Sequence, residues 1–201
     1  MTVRANKPAF NIREKLTELK HKPVELISVH TPEIFLSGSN NQTIEGIHET
    51  DHPIYLRINA SSVSTAGNMQ KIRFGTEKDG ILSTSIYYWQ SSYANHNSTT
   101  SVYNENPGSF YNFQYGWTAS GNIFYTIIKI QRLAKANTTN RYFAQMIGVT
   151  NPGYPTYVNQ SCCRVDLPGP LHSIDFYTDT TSGNTFDGGA ISVQYIYERN
   201  L

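Results

Sequence analysis

The chain has 201 residues, of which 38% are hydrophobic and 15% are charged, and its formal net charge is +1. This length suits one domain with a sizeable core and a short appended arm. A charge so close to zero gives little attraction to nucleic acid or to an anionic membrane, so the sequence predicts neither as a partner. The 14 tyrosines and the many Asn, Ser and Thr residues are typical of a β-rich protein that contacts proteins or sugars.

The opening residues, MTVRANKPAF, contain no apolar run, and no stretch of the chain is apolar over a membrane-spanning length. We therefore expect neither a signal peptide nor a membrane-spanning helix. Cys162 and Cys163 are adjacent, and neighbours on a strand point to opposite faces of the sheet. The sequence predicts two free thiols, one of them buried, in a protein made in a reducing cytoplasm, with a redox-active pair as the alternative.

Residues 1–22 have a helical pattern and are predicted to form a separate N-terminal arm. Asn11 can cap a helix and Glu14 can complete a capping box. Apolar residues recur on one face of this helix at Ile12, Leu16 and Leu19. Pro23 ends the helix. So short a helix needs a surface to pack on, which is either its own domain or a partner protein.

The remaining residues, 23–201, have the short alternating runs of an all-β domain, which we predict to be an antiparallel β-sandwich or jelly roll. The runs before the last pair are Glu25–His30, Glu33–Leu36, Ile54–Ala60, Met69–Phe74, Ile81–Trp89, Asn122–Leu133, Arg141–Val149 and Thr156–Val165. Pro32 separates the first two and confines them to a sheet edge or a bulge. The turn sequence GTEKDG joins the fourth run to the fifth.

Asn122–Leu133 is the longest and most apolar run, and large apolar residues occupy both of its faces. This pattern favours a central strand that is covered on both sides. The polar loop Ala134–Asn140 predicts a hairpin between this run and Arg141–Val149. Between Gln90 and Gly121 the alternation fails, so either short strands near Phe110–Trp117 or a functional surface loop is expected there.

The end of the chain, Ser173–Tyr197, contains two alternating runs separated by a loop rich in Thr, Ser and Gly. Gly183, Gly188 and Gly189 can supply the positive φ angles that a hairpin loop needs. The sequence therefore predicts that the domain closes with a β-hairpin made of its last two strands.

His48-Glu49-Thr50-Asp51-His52 matches the H-E-x-x-H pattern of zinc metalloproteases. That chemistry needs a helix with both histidines on one face. Gly46 and Pro53 flank the segment and oppose a helix, so we interpret it as a polar connection and predict no metal site.

No other pattern indicates a catalytic residue, and no cofactor is expected. The acidic residues are better explained by turns and sheet edges than by a glycosidase pair, and a calcium ion near Asp179 and Asp187 is a minor alternative. A set of aromatic residues could contact a glycan or a protein partner at a surface: Tyr88, Trp89, Tyr93, Tyr115 and Trp117. The competing interpretation is that these rings belong to the core.

Three segments carry a resemblance to a known class of proteins. RANKPAFNIREKLTELK, residues 4–20, resembles a leader shared by virion proteins of tailed bacteriophages, notably those of marine bacteria. KIRFGTEKDGILSTSIY (71–87) and IDFYTDTTSGNTFDGGAISVQYIYE (174–198) are similar to jelly-roll structural domains of such phages. The segments cover about a third of the chain and include no catalytic motif.

The resemblance implies a non-enzymatic virion protein, assembled in the host cytoplasm, that decorates or cements the head as a homotrimer bound to the major capsid protein. The leader would then be the docking segment, through Phe10, Ile12, Arg13, Leu16 and Leu19. One alternative is a tail-fibre or receptor-binding component that recognises a host surface glycan through the aromatic set. A glycan-degrading enzyme is a third hypothesis, for which the sequence offers no positioned acid–base pair.

Overall fold

The computed structural model describes residues 24–50, 52–64, 70–84, 86–95, 100–108, 111–112, 123–136, 139–151, 157–178, 183 and 185–200. Within these residues the protein has fourteen β-strands and no helix, so the all-β prediction is confirmed for this part of the chain. No helix there could cross a bilayer. The predicted helical arm, 1–22, lies outside the described residues.

In chain order the strands are β1 Val24–His30, β2 Ile34–Phe35, β3 Asn41–Ile44, β4 Ile54–Val63, β5 Gln70–Thr76, β6 Gly80–Ile81, β7 Tyr87–Asn95, β8 Thr100–Gly108, β9 Tyr111–Asn112, β10 Ile123–Ala136, β11 Thr139–Asn151, β12 Tyr157–Leu167, β13 Ser173–Thr178 and β14 Phe186–Asn200. In the described part of the chain they form two antiparallel sheets. The larger sheet has the order β1-β14-β4-β10-β11-β12-β7-β8, with β2 also paired to β14. The smaller sheet has the order β3-β13-β5-β6, with β9 also paired to β5.

Eight of these strands pair in a nested order. β1 pairs with β14, β3 with β13, β4 with β10 and β5 with β6. The chain therefore follows the course of one long hairpin that is folded over, so that successive pairs fall in alternate sheets. β7, β8, β11 and β12 lie outside this nested set and widen the larger sheet on its β10 side.

The two sheets pack face to face around one hydrophobic core. Alternation places every second residue of the first half of β4 in it, where Ile54, Leu56 and Ile58 are buried. The hydroxyl of Tyr87 spans the layers: it accepts a hydrogen bond from the Phe74 N–H at 2.8 Å and donates one to the Leu82 carbonyl at 2.8 Å. Burial raises the pKa of Tyr87, so this hydroxyl keeps its proton.

The predicted closing hairpin is wrong. Both runs are strands, but β13 lies in the smaller sheet and β14 in the larger one. β13 has β3 and β5 on its two sides, and β14 has β4 on one side and β1 and β2 on the other. Neither strand has a free edge for the other, so the segment between them crosses from one sheet to the other.

Several other strand predictions hold in part. β10 and β11 form the predicted hairpin, with pairing that extends to Ala136 and Thr139. The turn after β5 leads into β6, but the chain then leaves the smaller sheet, because Tyr87–Trp89 belong to β7 in the larger one. The predicted gap from 90 to 121 contains the end of β7, all of β8 and the short β9. β3 was not predicted, because only Ile44 of its four residues is buried.

Candidate interaction surface

The outer face of the larger sheet contradicts the prediction that β10 is covered on both sides. Its inward residues, such as Phe124, Ile128 and Ile130, are buried in the core. Its outward residues Tyr125 and Ile127 remain 49% and 38% exposed. The apolar pattern of both faces was therefore read correctly, but the smaller sheet covers only one of them.

Exposed apolar residues from three neighbouring strands meet on this outer face. Ile127 of β10 lies directly opposite Ile147 of β11, and Tyr125 lies opposite Val149. Val149 in turn lies opposite Val158 of β12. We call these five residues the outer patch; each is between 38% and 54% exposed. Side chains that face each other across strands lie within contact distance, so the five form one continuous surface.

Polar residues border the outer patch on one side. Lys129 pairs with Gln145, and Gln145 with Cys162. These residues line a shallow depression of about 610 Å³ together with Tyr55, Gln90, Ser91, Ser92, Ile127, Met146, Ile147, Gln160 and Ser161. The depression is therefore lined by the aliphatic side chains of Ile127 and Ile147 together with amide, hydroxyl and amine groups.

Farther along the same face, charged residues replace the apolar ones. The guanidinium of Arg164 lies 3.9 Å from the ring centroid of Tyr88. Arg141 donates two hydrogen bonds to the Asp166 carboxylate, at 2.6 and 2.9 Å. Hydrogen bonding to Arg141 lowers the pKa of Asp166. The pair therefore stabilises the fold above the ordinary pKa of an aspartate, and this stabilisation is lost as the pH falls through the lowered pKa of the folded state.

A second group of exposed apolar residues lies at the β1 edge of the larger sheet. Leu26 and Val29 on β1 and Phe35 on β2 are 62%, 46% and 77% exposed. We call these three residues the edge patch; Leu26 and Val29 are three positions apart on β1, so they point to opposite faces of its edge. Both strands pair with the same side of β14, and no described strand pairs with the other side of β1. Among the described strands this edge therefore presents its backbone groups beside exposed apolar side chains, which is the usual form of a protein-binding edge.

The structure describes the side chains of only two of the five predicted aromatic contacts, Tyr88 and Trp89. Trp89 is only 7% exposed, because it occupies an inward position of β7, so its prediction as a surface contact is wrong. Tyr88 points outward, but Arg164 covers one face of its ring. Tyr93 lies in β7, where its backbone pairs with Ser101. Tyr115 and Trp117 lie outside the described residues, and so do the predicted docking residues Phe10, Ile12, Arg13, Leu16 and Leu19.

The H-E-x-x-H segment connects β3 to β4 without a helix, as predicted. Its two histidines have different neighbours: the ring of His48 lies near that of Tyr195, and His52 Nε2 lies 3.0 Å from Glu198 Oε1. The described residues contain no group of three or more side chains that could hold a metal ion.

The two cysteines are free and lie on opposite faces of β12, as the sequence predicts. Cys163 is buried in the core, and its burial raises the pKa of its thiol, which makes it a poor nucleophile. Cys162 lies on the outer face and lines the depression beside the outer patch.

Sequence reasoning missed both exposed patches, although their residues were visible. Ile147, Val149 and Val158 occupy the positions of β11 and β12 that alternate with core residues. A strand with apolar residues at both alternating sets can be covered by its own chain or by another molecule. The pattern alone does not distinguish these two cases.

No protein-family model, no curated protein and no solved structure matches this chain. Its function must therefore be argued from the two exposed patches and from the resemblance in its sequence.

Proposed function

We propose that this chain is a non-enzymatic structural protein of a bacteriophage virion, which binds the outside of the major capsid protein lattice and stabilises the head. The observation that carries the proposal is the edge patch. This exposed apolar edge follows a segment that is predicted to dock on a partner. Such an arrangement suits a protein that binds other proteins rather than one that catalyses a reaction. The leader, 4–20, provides the resemblance to virion proteins.

The nested pairing of eight strands supports a jelly roll as the fold of the displayed domain. Each of the two facing sheets takes four of the eight strands, in the orders β1-β14-β4-β10 and β3-β13-β5-β6. Double-sheet jelly rolls are common in viral capsid proteins. The fold by itself does not determine a function, so this agreement adds to the edge patch and does not replace it.

The arm would bind together with the part of the edge patch that lies beside it. β1 begins at Val24, so the docking residues of the arm precede the exposed Leu26 by 7 to 16 positions. Phe35, in contrast, pairs with Ala190, ten residues along β14 from the partner of Val24. Burying the four apolar docking residues fully would contribute roughly 6–10 kcal/mol before the entropy of ordering the arm is subtracted. The backbone of β1, on the side away from β14, can form main-chain hydrogen bonds with a strand of the capsid protein.

Deleting residues 1–20 is expected to leave a folded domain that no longer binds heads. The described core begins at Leu36, so the deletion removes none of it. Folding is measured by thermal unfolding, and binding by co-sedimentation with purified heads that lack the protein. Phe35→Ser should weaken head binding in the full chain, because Phe35 is the most exposed residue of the edge patch.

The matched control is Leu133→Ser, which removes another exposed apolar side chain. Leu133 lies in β10, three strands from β1 in the larger sheet. Its replacement should leave head binding unchanged. If the truncated chain binds heads as strongly as the full chain, the docking role of the arm is wrong.

A further inference from the structure

We infer that the outer patch is the surface through which copies of this chain associate with one another. The inference rests on the proposed function, since the resemblance to virion decoration proteins implies a homotrimer. It assigns the self-contact to Tyr125, Ile127, Ile147, Val149 and Val158, and leaves the edge patch and the arm free for the capsid.

The size of the outer patch fits a protein partner. From the exposed fractions of its five side chains, the patch presents on the order of 400 Å² of apolar area, within the range of the largest patch on a typical monomer. A stable protein interface buries about 800 Å² on each partner, a little more than half of it apolar. The outer patch supplies most of that apolar share.

The residue pattern also fits an oligomer interface. Such interfaces have an apolar centre that is poor in charge and a polar rim. Here Ile127 and Ile147 form the centre, and Lys129, Gln145 and Gln160 form part of the rim. Arg57, opposite Ile127, also lies at this border, where its guanidinium donates a hydrogen bond to Gln194 at 2.7 Å.

The last residues of the arm, from Leu19 onward, are too close to Val24 in the chain to cover the outer patch. The arm joins β1 at Val24, which pairs with Asn200 at the far end of β14. The patch lies three to five strands away and at least about eight residues back along the sheet, which corresponds to about 30 Å at its nearest residue. Leu19 is five residues before Val24, and five extended residues span at most about 18 Å.

Another copy of the chain is the partner that is always present. A half-exposed aliphatic surface promotes aggregation for as long as it is uncovered. Identical copies are made together, so they meet as soon as the chain has folded. A glycan also fits less well, because the outer patch offers mainly aliphatic side chains, with Tyr125 as its single ring.

The test compares Ile147→Glu with Leu26→Glu in the full chain. Both place a carboxylate at an exposed apolar strand position, so both should fold with similar thermal stability. The wild type is expected to have three times the mass of one chain by size-exclusion chromatography with light scattering. Ile147→Glu should raise the dissociation constant at least about a hundredfold, since it buries an unpaired charge. Leu26→Glu should keep the mass of the wild type.

Cys162 provides a second readout on the same face. In the wild-type oligomer its reaction with a thiol reagent should be slow, and in Ile147→Glu it should be fast. Cys163 is buried and should stay unreactive in both proteins.

The inference is overturned if Ile147→Glu keeps the mass of the wild type, or if the wild type is a single chain whose Cys162 reacts freely. It is also overturned, in favour of a glycan site, if the wild type is a single chain and Ile147→Glu abolishes binding to host envelope polysaccharide. Head binding is measured separately. If the wild type is a single chain and binds heads, the inferred self-association is wrong and the proposed function stands. If the wild type is an oligomer that does not bind heads, the proposed function is wrong and the self-association stands.

Discussion

Replacing Asp175 by alanine is expected to lower the free energy of unfolding by about 3 kcal/mol, because its carboxylate is the buried centre of a polar cluster. The Asp175 side chain is only 2% exposed. Its Oδ2 accepts hydrogen bonds from Arg73 Nε at 3.1 Å and Nη2 at 2.6 Å, and its Oδ1 accepts one from Thr43 at 3.1 Å. These bonds join β3, β13 and β5, which the three residues occupy directly opposite one another.

The alanine variant would leave the Arg73 guanidinium without its anion, packed against the ring of Tyr177 at 4.1 Å. Thermal unfolding should then begin about 6–12 °C lower for a chain of this size. Asp166→Ala is the control, because Asp166 also binds an arginine, but at the surface. Its expected cost is within about 1 kcal/mol. If both variants lower the free energy of unfolding by the same amount, the burial of Asp175 does not increase its contribution to stability.

Gly189→Ala is expected to destabilise the fold by more than about 3 kcal/mol, because no side chain fits at this position. Gly189 has a φ of +107°, a conformation that other residues rarely adopt. A Cβ atom there would lie 2.6 Å from Ser61 Cα and 2.8 Å from the Ala60 carbonyl oxygen. Both are backbone atoms of the neighbouring β4, so they cannot move aside as a flexible side chain would. The Gly189 carbonyl also accepts a hydrogen bond from the Leu36 N–H at 2.9 Å.

Gly46→Ala separates the two causes, strained backbone and steric overlap. Gly46 has a φ of +69°, and a Cβ atom there would meet nothing within 4 Å. Its replacement should cost only the backbone strain, about 1 kcal/mol. Urea unfolding of both variants measures the difference. The account of Gly189 fails if its alanine variant is no less stable than that of Gly46.

Gly189 also illustrates what the sequence could predict and what it could not. A positive φ was expected at Gly183, Gly188 and Gly189; Gly183 and Gly189 have one, and Gly188 does not. The predicted location of Gly189 in a hairpin loop was wrong. Gly189 lies inside β14, at a point where the pairing with β4 shifts register. A glycine indicates which backbone angle is available, but not which strand lies beside it.

The other differences between the predicted and the observed strands have the same cause: a strand's own sequence does not specify its neighbours. Alternation correctly identified the buried residues of β4 and most of those of β14, where Tyr197 is the exception at 39% exposed, because a period of two depends only on the strand itself. The partner of each strand depends on contacts between distant parts of the chain, so β13 and β14 were wrongly paired. Trp89 and Tyr88 are adjacent on β7, and the sequence did not say which of them faces inward.

The central claim, that this chain decorates a phage head, is tested most directly by counting its copies in purified virions. Quantitative mass spectrometry against the major capsid protein gives that number. A protein that covers the capsid lattice should be present in hundreds of copies per particle. A count of a few or a dozen would contradict the claim and indicate a tail component, and absence from purified particles would contradict any structural role in the virion.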